Sequence, residues 1–210
     1  MFKIKWDMKE EEVRLENIAD TDSEIFALLK QRYSPRVFKE KHIEETKIKQ
    51  LFEAVRWSAS SNNLQPWRFV YAQKGTEGYD FIFRCLSDFN RKWASNAPLL
   101  VLAIYKKETD QGQSNFHALH DLGLGLGAMT VQAQYMGIGL HHMAGVDWEK
   151  AHKLFGIPDG FHVSTAIAVG YYGGSLNDLP EDLKAEETNK RKRMPFKKFA
   201  FKETWDILNK

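Results

Sequence analysis

Hydrophobic positions recur with helical spacing in two segments near the start of the chain. Between residues 45 and 57 the apolar side chains fall at i, i+3, i+4 and i+7, which predicts a helix over that range. A shorter apolar run at residues 25–29 predicts an earlier helix, with Asp22 or Ser23 as its N-cap. That helix should end near Tyr33, because Pro35 disfavours helical geometry at the residue before it.

Continuous apolar runs predict a central sheet in the rest of the chain. The predicted strands are residues 67–72, 98–105, 138–142 and 165–170. Helices are predicted at residues 114–136 and 148–155, and a helix with a connecting segment at residues 77–94. The glycine and alanine content of the 114–136 helix indicates that another helix packs closely against it. Because helices and strands mix without a regular βαβ alternation, the expected fold class is α+β.

The composition is that of an ordinary globular domain. The net charge of +2 creates no basic field that would demand nucleic acid or a membrane surface. A single cysteine, Cys85, excludes a disulfide framework and a multi-thiolate metal site. No apolar run approaches membrane-spanning length. We therefore expect a cytoplasmic protein with an arm or helix at residues 1–20 and one domain with a C-terminal arm at residues 21–210.

The segment after the first helix carries a candidate anion site. If residues 32–36 are extended, Arg32, Ser34 and Arg36 lie on one face, because alternate side chains of an extended chain point the same way. Guanidinium groups match phosphate oxygens in geometry and stay charged at any working pH. A solvated basic turn, with Arg32 complementing the helix C-terminus, explains the same residues equally well.

A polar loop at residues 58–65 carries two carboxamides with the same spacing. Asn63 and Gln65 precede Pro66, which favours extended geometry. Carboxamides both donate and accept hydrogen bonds, so they can bind an edge that alternates C=O and N–H, such as the pyrimidine edge of a flavin. Taken alone, the loop is more simply an asparagine-rich turn.

A short basic run near the C-terminus, Arg191-Lys192-Arg193, is a second candidate for binding phosphate. It is interrupted by Pro195 and followed by aromatic residues that favour burial. A docked segment that brings arginines to an anion and a free basic tail are both consistent with this pattern.

Two other patterns are weaker. The glycines at positions 123, 125 and 127 do not complete a G-x-G-x-x-G phosphate loop, because Thr130 occupies the last position, and they lie within a helical pattern. A metal site is disfavoured because His117 and His120 suit a polar helix face, while the adjacent His141 and His142 point to opposite faces of a strand. We therefore expect no metal.

Taken in order, these motifs resemble the nitroreductase family of FMN-dependent flavoproteins from about residue 22 onward. The matching elements are Arg32-x-Ser34-x-Arg36-x-Phe38, Trp57-x-x-Ser60-x-x-Asn63-x-Gln65-Pro66-Trp67, the helix from Asp121 to Gly139, the turn Gly145-Val146-Asp147, and Arg191-x-Arg193-x-Pro195. The chain has Ala59 where the family often has proline. The resemblance implies an α+β nitroreductase-like fold, with a central, mixed but mostly antiparallel sheet flanked by helices, in an intertwined homodimer with FMN at the interface.

The resemblance also implies roles for particular residues. The expected phosphate and ribityl contacts are Arg32, Tyr33, Ser34, Arg36, Arg191 and Arg193. The loop that meets the flavin from the partner subunit would supply Ser60, Asn63 and Gln65, and the turn that approaches flavin N5 and O4 would be Met143, Ala144 and Gly145.

The expected activity is FMN-dependent transfer of reducing equivalents from NAD(P)H to a small acceptor such as a nitroaromatic, a quinone or an enone. A covering region within residues 76–118 would select the acceptor. The alternatives are a specialised member that performs reductive dehalogenation or flavin fragmentation, and a non-catalytic flavin-binding or redox-sensing protein.

Overall fold

A four-stranded sheet forms the centre of the computed structural model, which describes residues 17–205. The strands are β1 (Trp67–Gln73), β2 (Leu99–Lys106), β3 (Ile138–Met143) and β4 (Phe161–Tyr171). Their order is β1-β2-β4-β3, and every pairing between them is antiparallel. The four predicted strands are therefore confirmed. β4 begins four residues before the predicted start, because its first residues pair with the end of β2 beyond a bulge at Ala103 and Ile104.

Helices cover both faces of the sheet. They are α1 (Ala27–Gln31), α2 (Glu45–Arg56), α3 (Glu77–Arg84), α4 (Asp88–Arg91), α5 (Ala118–Tyr135), α6 (Trp148–Phe155) and α7 (Glu181–Thr188). One core packs α3, α6 and α7 against one sheet face, and a second core packs α2 and α5 against the other. Alternate residues of β2 enter opposite cores, Leu100 and Leu102 the first and Val101 and Ala103 the second. The α+β class is confirmed.

Close packing of a helix on α5 is also confirmed. A Cβ atom on Gly125 would lie 2.8 Å from Val55 Cγ1 of α2 and 3.7 Å from Trp67 Cε3, so only a glycine permits this approach. On the outer side of the same helix, a Cβ on Gly123 or Gly127 would meet nothing within 4 Å. The two helix faces therefore differ, one filled and one open in the single chain.

The prediction for the first helix was wrong at its start. α1 begins at Ala27, its N-cap is Phe26, and no side chain caps it, so neither Asp22 nor Ser23 has the predicted role. Ile25 and Phe26 are more than 40% exposed. Because they do not pack into the core, nothing extends the helix towards its predicted cap.

Candidate functional site

The segment after α1 is held in place by the sheet. Arg32 ends α1 with extended geometry (φ −61°, ψ 128°). Pro35 lies so close to β3 that a Cβ on Gly139 would be 2.5 Å from Pro35 Cγ. The backbone N–H of Lys39 donates to the carbonyl of Tyr171 at 3.0 Å. The candidate anion segment is therefore fixed against β3 and β4 rather than exposed as a free turn.

Three arginines meet at the start of this segment. Arg32 Nη1 donates to Ser34 Oγ at 3.3 Å. Burial lowers the pKa of Arg32, Tyr172 opposes that effect, and the positive charge of Arg193 adds to it. Burial also lowers the pKa of Arg191, with Arg32 and Arg193 adding to it. We call Arg32, Ser34, Arg191 and Arg193 the basic cluster; no carboxylate within residues 17–205 is among the charges that shift these pKa values.

Arg191 contacts main-chain carbonyls. Its guanidinium donates to the carbonyls of Arg32, of Lys30 at 2.8 Å and of Asn17 at 2.6 Å. These contacts dock the C-terminal basic run on the end of α1, so the docked alternative for this run is the one observed. Arg193 is exposed and donates to the carbonyl of Lys192.

Arg36 does not join the basic cluster. Its guanidinium is ion-paired with Glu186 at 2.8 Å and lies 3.8 Å from the Glu187 carboxylate, and its backbone N–H donates to Glu187 at 3.1 Å. Glu187 is only 3% exposed. The predicted convergence of Arg36 with Arg32 and Ser34 was wrong, because two carboxylates of α7 hold its side chain.

Arg32 and Arg36 lie near opposite faces of β3, as their effects on the two histidines of the strand indicate. Burial lowers the pKa of His142 to about 4, and the charge of Arg32 adds to this effect. Burial likewise lowers the pKa of His141 to about 4, and Arg36 is the next cause. Adjacent strand residues point to opposite faces, so the two positive charges are separated by the strand. His142 faces α5, where its Nε2 lies 3.1 Å from Thr130 Oγ1.

Tyr33 and Met143 are both core residues. The Tyr33 ring packs 5.0 Å from the Tyr172 ring and is 4% exposed, and Met143 is 2% exposed. Both predicted site residues are therefore buried in the single chain, and neither side chain is open to a ligand there.

The turn after β3 offers unused backbone donors. The Gly145 carbonyl accepts from the Ser87 N–H at 2.9 Å and from Asn90 Nδ2 at 3.1 Å. A Cβ on Gly145 would lie 2.5 Å from Ser87 Oγ, which requires glycine here. Within residues 17–205 neither the Ala144 nor the Gly145 N–H donates a hydrogen bond. Two adjacent free donors suit an acceptor edge of a ligand.

The loop at residues 60–65, which we call the carboxamide loop, is not extended as predicted. Asn62, Asn63 and Gln65 have positive φ angles of 49°, 55° and 46°. The Gln65 N–H donates to Ser60 Oγ at 3.1 Å, and the Ser61 N–H donates to a buried Asp121 carboxylate oxygen at 3.0 Å. These two contacts close the loop tightly and override the extended preference before Pro66.

The carboxamide loop and the basic cluster lie at opposite ends of α5 in one chain. Asp121 contacts the loop, and Thr130 contacts His142 beside Arg32. Nine residues of α-helix separate these two contacts by about 13 Å along the axis.

Four residues that organise this region are not among the predicted site residues. They are Asn90, Asp121, His142 and Glu187. For Asp121 and His142 a polar residue within an apolar helix or strand was the available signal. For Glu187 there was none, because its partner lies 151 positions away. The described residues contain no group of three or more potential metal ligands, and none of their helices is long and apolar enough to cross a membrane.

Comparison with known proteins identifies the family. The nitroreductase family profile matches residues 29–95 and 79–171, which together cover more than half of the chain. The chain belongs to the nitroreductase family.

Individual relatives agree with this assignment. A solved FMN-containing oxidoreductase is 29% identical with a TM-score of 0.84, over 90% of this chain and 97% of its own. A nitroreductase solved with FMN from Desulfovibrio desulfuricans shares the fold at 18% identity, with a TM-score of 0.66 over 85% and 96% of the two chains. A Ralstonia nicotianae protein named as an NADH dehydrogenase/NAD(P)H nitroreductase is 24% identical over 149 residues, 61% of this chain and 75% of its own.

Proposed function

We propose that this protein is an FMN-dependent oxidoreductase that passes reducing equivalents from NAD(P)H to a small acceptor such as a nitroaromatic, a quinone or an enone. The observation that carries the proposal is the basic cluster, in which Arg32 and Arg191 are partly buried near each other and near Arg193, without a carboxylate among the groups that shift their pKa values. Burying like charges is unfavourable unless an anion compensates them. A phosphate is the anion that arginine forks match best.

The residues present fit FMN at both of its polar ends. Arg32, Ser34 and Arg193 would hold the phosphate, while Arg191 keeps the C-terminal segment docked through its carbonyl contacts. The free N–H groups of Ala144 and Gly145 would face the acceptor edge of the ring. His142 lies on β3, between the basic cluster and the turn at Ala144 and Gly145. It is neutral at pH 7, because its pKa is about 4.

The chain's own contribution is binding and orientation. When bound, FMN supplies the redox chemistry between the reduced nicotinamide and the acceptor. Asn90 and Ser87 fix the Gly145 carbonyl, which leaves the turn donors in one orientation. Positive charge and N–H donors beside a flavin would stabilise the added negative charge of its reduced form.

A homodimer is part of the proposal. The carboxamide loop is far from the basic cluster of its own chain, so it would serve the partner's site. The open side of Gly123 and Gly127 leaves room for close approach of a second helix. Phe196 and Phe199 are 71% and 61% exposed in the single chain, which suits a C-terminal arm packed on a partner. Light scattering after gel filtration should give twice the monomer mass of 24.3 kDa.

The decisive experiment is to identify the pigment and measure its reduction. Purified protein should be yellow, release FMN rather than FAD on denaturation, and oxidise NADH or NADPH when a quinone is added. Protein that stays colourless after incubation with FMN would refute the proposal. FMN binding without reduction by either nicotinamide would favour the redox-sensing alternative.

A further inference from the structure

Asp121 is a buried carboxylate that joins α5 to the carboxamide loop. Its side chain is 2% exposed, and its Oδ2 accepts the Ser61 N–H at 3.0 Å. Its Oδ1 lies 3.3 Å from Nδ1 of the exposed His120. Burying a carboxylate costs free energy unless hydrogen bonds compensate the lost hydration. The hydrogen bond from Ser61 is therefore one that the buried Asp121 side chain needs.

The loop that Asp121 contacts has an unfavourable backbone. Asn62, Asn63 and Gln65 all have φ between 46° and 55°, in the left-handed region that non-glycine residues seldom adopt. Such conformations persist only where surrounding contacts impose them, and they concentrate at ligand sites. Within the loop, the hydrogen bond from Gln65 N–H to Ser60 Oγ closes the turn. Among the hydrogen bonds within residues 17–205, the Asp121 contact is the one that ties the turn to a helix of the core.

We propose that Asp121 is a positioning residue, whose hydrogen bond to Ser61 holds the carboxamide loop in the conformation that presents Asn63 and Gln65 to FMN. This inference rests on the proposed function of the loop. A carboxylate in the first turn of a helix also complements the helix dipole. That general effect does not require a partner sixty residues away, whereas the observed geometry has one.

The first test compares two substitutions at the same position. Asp121→Ala removes the acceptor and should weaken FMN binding at least tenfold, measured by fluorescence quenching on titration of apo-protein. Asp121→Asn retains a carbonyl oxygen that can still accept from Ser61, so its affinity should stay within about threefold of wild type. Equal losses in the two variants would overturn the inference, because charge rather than the hydrogen bond would then be responsible.

The second test removes the other partner of the same hydrogen bond. Ser61→Pro deletes the N–H, and Ser60 before it is already extended (φ −147°, ψ 151°), as a residue preceding proline must be. The double variant Asp121→Ala/Ser61→Pro should bind FMN no more weakly than the weaker single variant. Losses that multiply in the double variant would show that the two residues act independently and would overturn the inference.

A structural control and a flavin-free readout separate this inference from the proposed function. Thr76→Ala removes the N-cap of α3, whose hydroxyl accepts from Tyr79 N–H at 3.3 Å, and should lower the melting temperature without changing FMN affinity. In apo-protein, Asp121→Ala should accelerate amide hydrogen exchange at Ser61. Wild-type protein that binds no FMN would refute the proposed function and this role with it. Wild-type protein that binds FMN, with unchanged affinity in Asp121→Ala, would refute this inference alone.

Discussion

The basic cluster and the carboxamide loop are built in opposite ways. Contacts between distant parts of the chain form the basic cluster, where Arg191 reaches carbonyls 159 to 174 positions away. The carboxamide loop spans six consecutive residues, and its positive φ angles are held by one hydrogen bond within the loop and one to Asp121 of α5. The cluster concentrates unfavourable electrostatic energy and the loop concentrates backbone strain. The basic cluster favours binding of an anion, whose negative charge offsets the repulsion between the arginines. The carboxamide loop favours binding in a different way, because its backbone already has the shape that the ligand contacts.

The largest expected effect is loss of phosphate binding. Arg32→Ala should weaken FMN binding about 100-fold, because two charge-assisted hydrogen bonds of about 1.5 kcal/mol each are lost. Titration of apo-protein with FMN measures the change. Lys197→Ala is the control, since it removes an exposed positive charge from the C-terminal segment that also carries Arg191 and Arg193. Similar losses in both variants would mean that general charge, and not the basic cluster, binds the cofactor.

Arg36 should behave differently from Arg32 although the sequence motif treats them alike. Arg36→Ala removes a cationic partner of the buried Glu187 carboxylate, which should lower the free energy of unfolding by about 3 kcal/mol. FMN affinity should fall much less than in Arg32→Ala. Urea denaturation of the apo-protein measures the stability. A large affinity loss with unchanged stability would place Arg36 at the phosphate instead.

Acid should lower the free energy of unfolding through His142, which lies on the face of β3 next to the basic cluster. His142 has a pKa of about 4 in the fold and about 6.5 when unfolded, so the unfolded chain binds more protons between these values. Stability is therefore fully present above pH 6.5 and falls as the pH drops towards 4, by about 3 kcal/mol for this residue.

His142→Gln should remove about half of the acid destabilisation that His141 and His142 cause together, because His141 has the same lowered pKa and keeps its own contribution. Urea midpoints at pH 7 and pH 4.5 measure the change. His117→Gln, at an exposed histidine, is the control and should retain the full wild-type loss. A His142→Gln profile identical to wild type would mean that the protonation of this residue is not linked to folding.

Much of the fold could be predicted because it follows from local periodicity. The α2 helix and all four strands lie where the hydrophobic pattern places them. The start of α5 could not be predicted, since Ser114 forms a bridge with Glu108 and the Asn115 N–H donates to the Lys107 carbonyl, contacts that do not belong to a helix. The arrangement of the candidate site could not be predicted from the sequence. The partner of Arg36 is in α7 and the anchor of Ser61 is in α5, and neither spacing leaves a periodic signal.

The smallest effect concerns the strain in the carboxamide loop. Gln65 has φ 46° and precedes a proline, two constraints that both disfavour its conformation. Gln65→Gly and Gln65→Ala both remove the carboxamide, so both should weaken FMN binding by the same amount, about tenfold. They differ in strain, because glycine adopts positive φ freely and alanine does not.

Gln65→Gly should therefore be more stable than Gln65→Ala by about 1 kcal/mol in thermal or urea unfolding, the reverse of the usual order of these residues. Alanine at an ordinary extended position would instead be the more stable of the two. If Gln65→Ala proves the more stable variant, the loop is not strained and the contrast with the basic cluster fails. If the predicted order is found, the shape of the carboxamide loop lowers the stability of the fold through backbone strain. The basic cluster lowers it through repulsion between like charges.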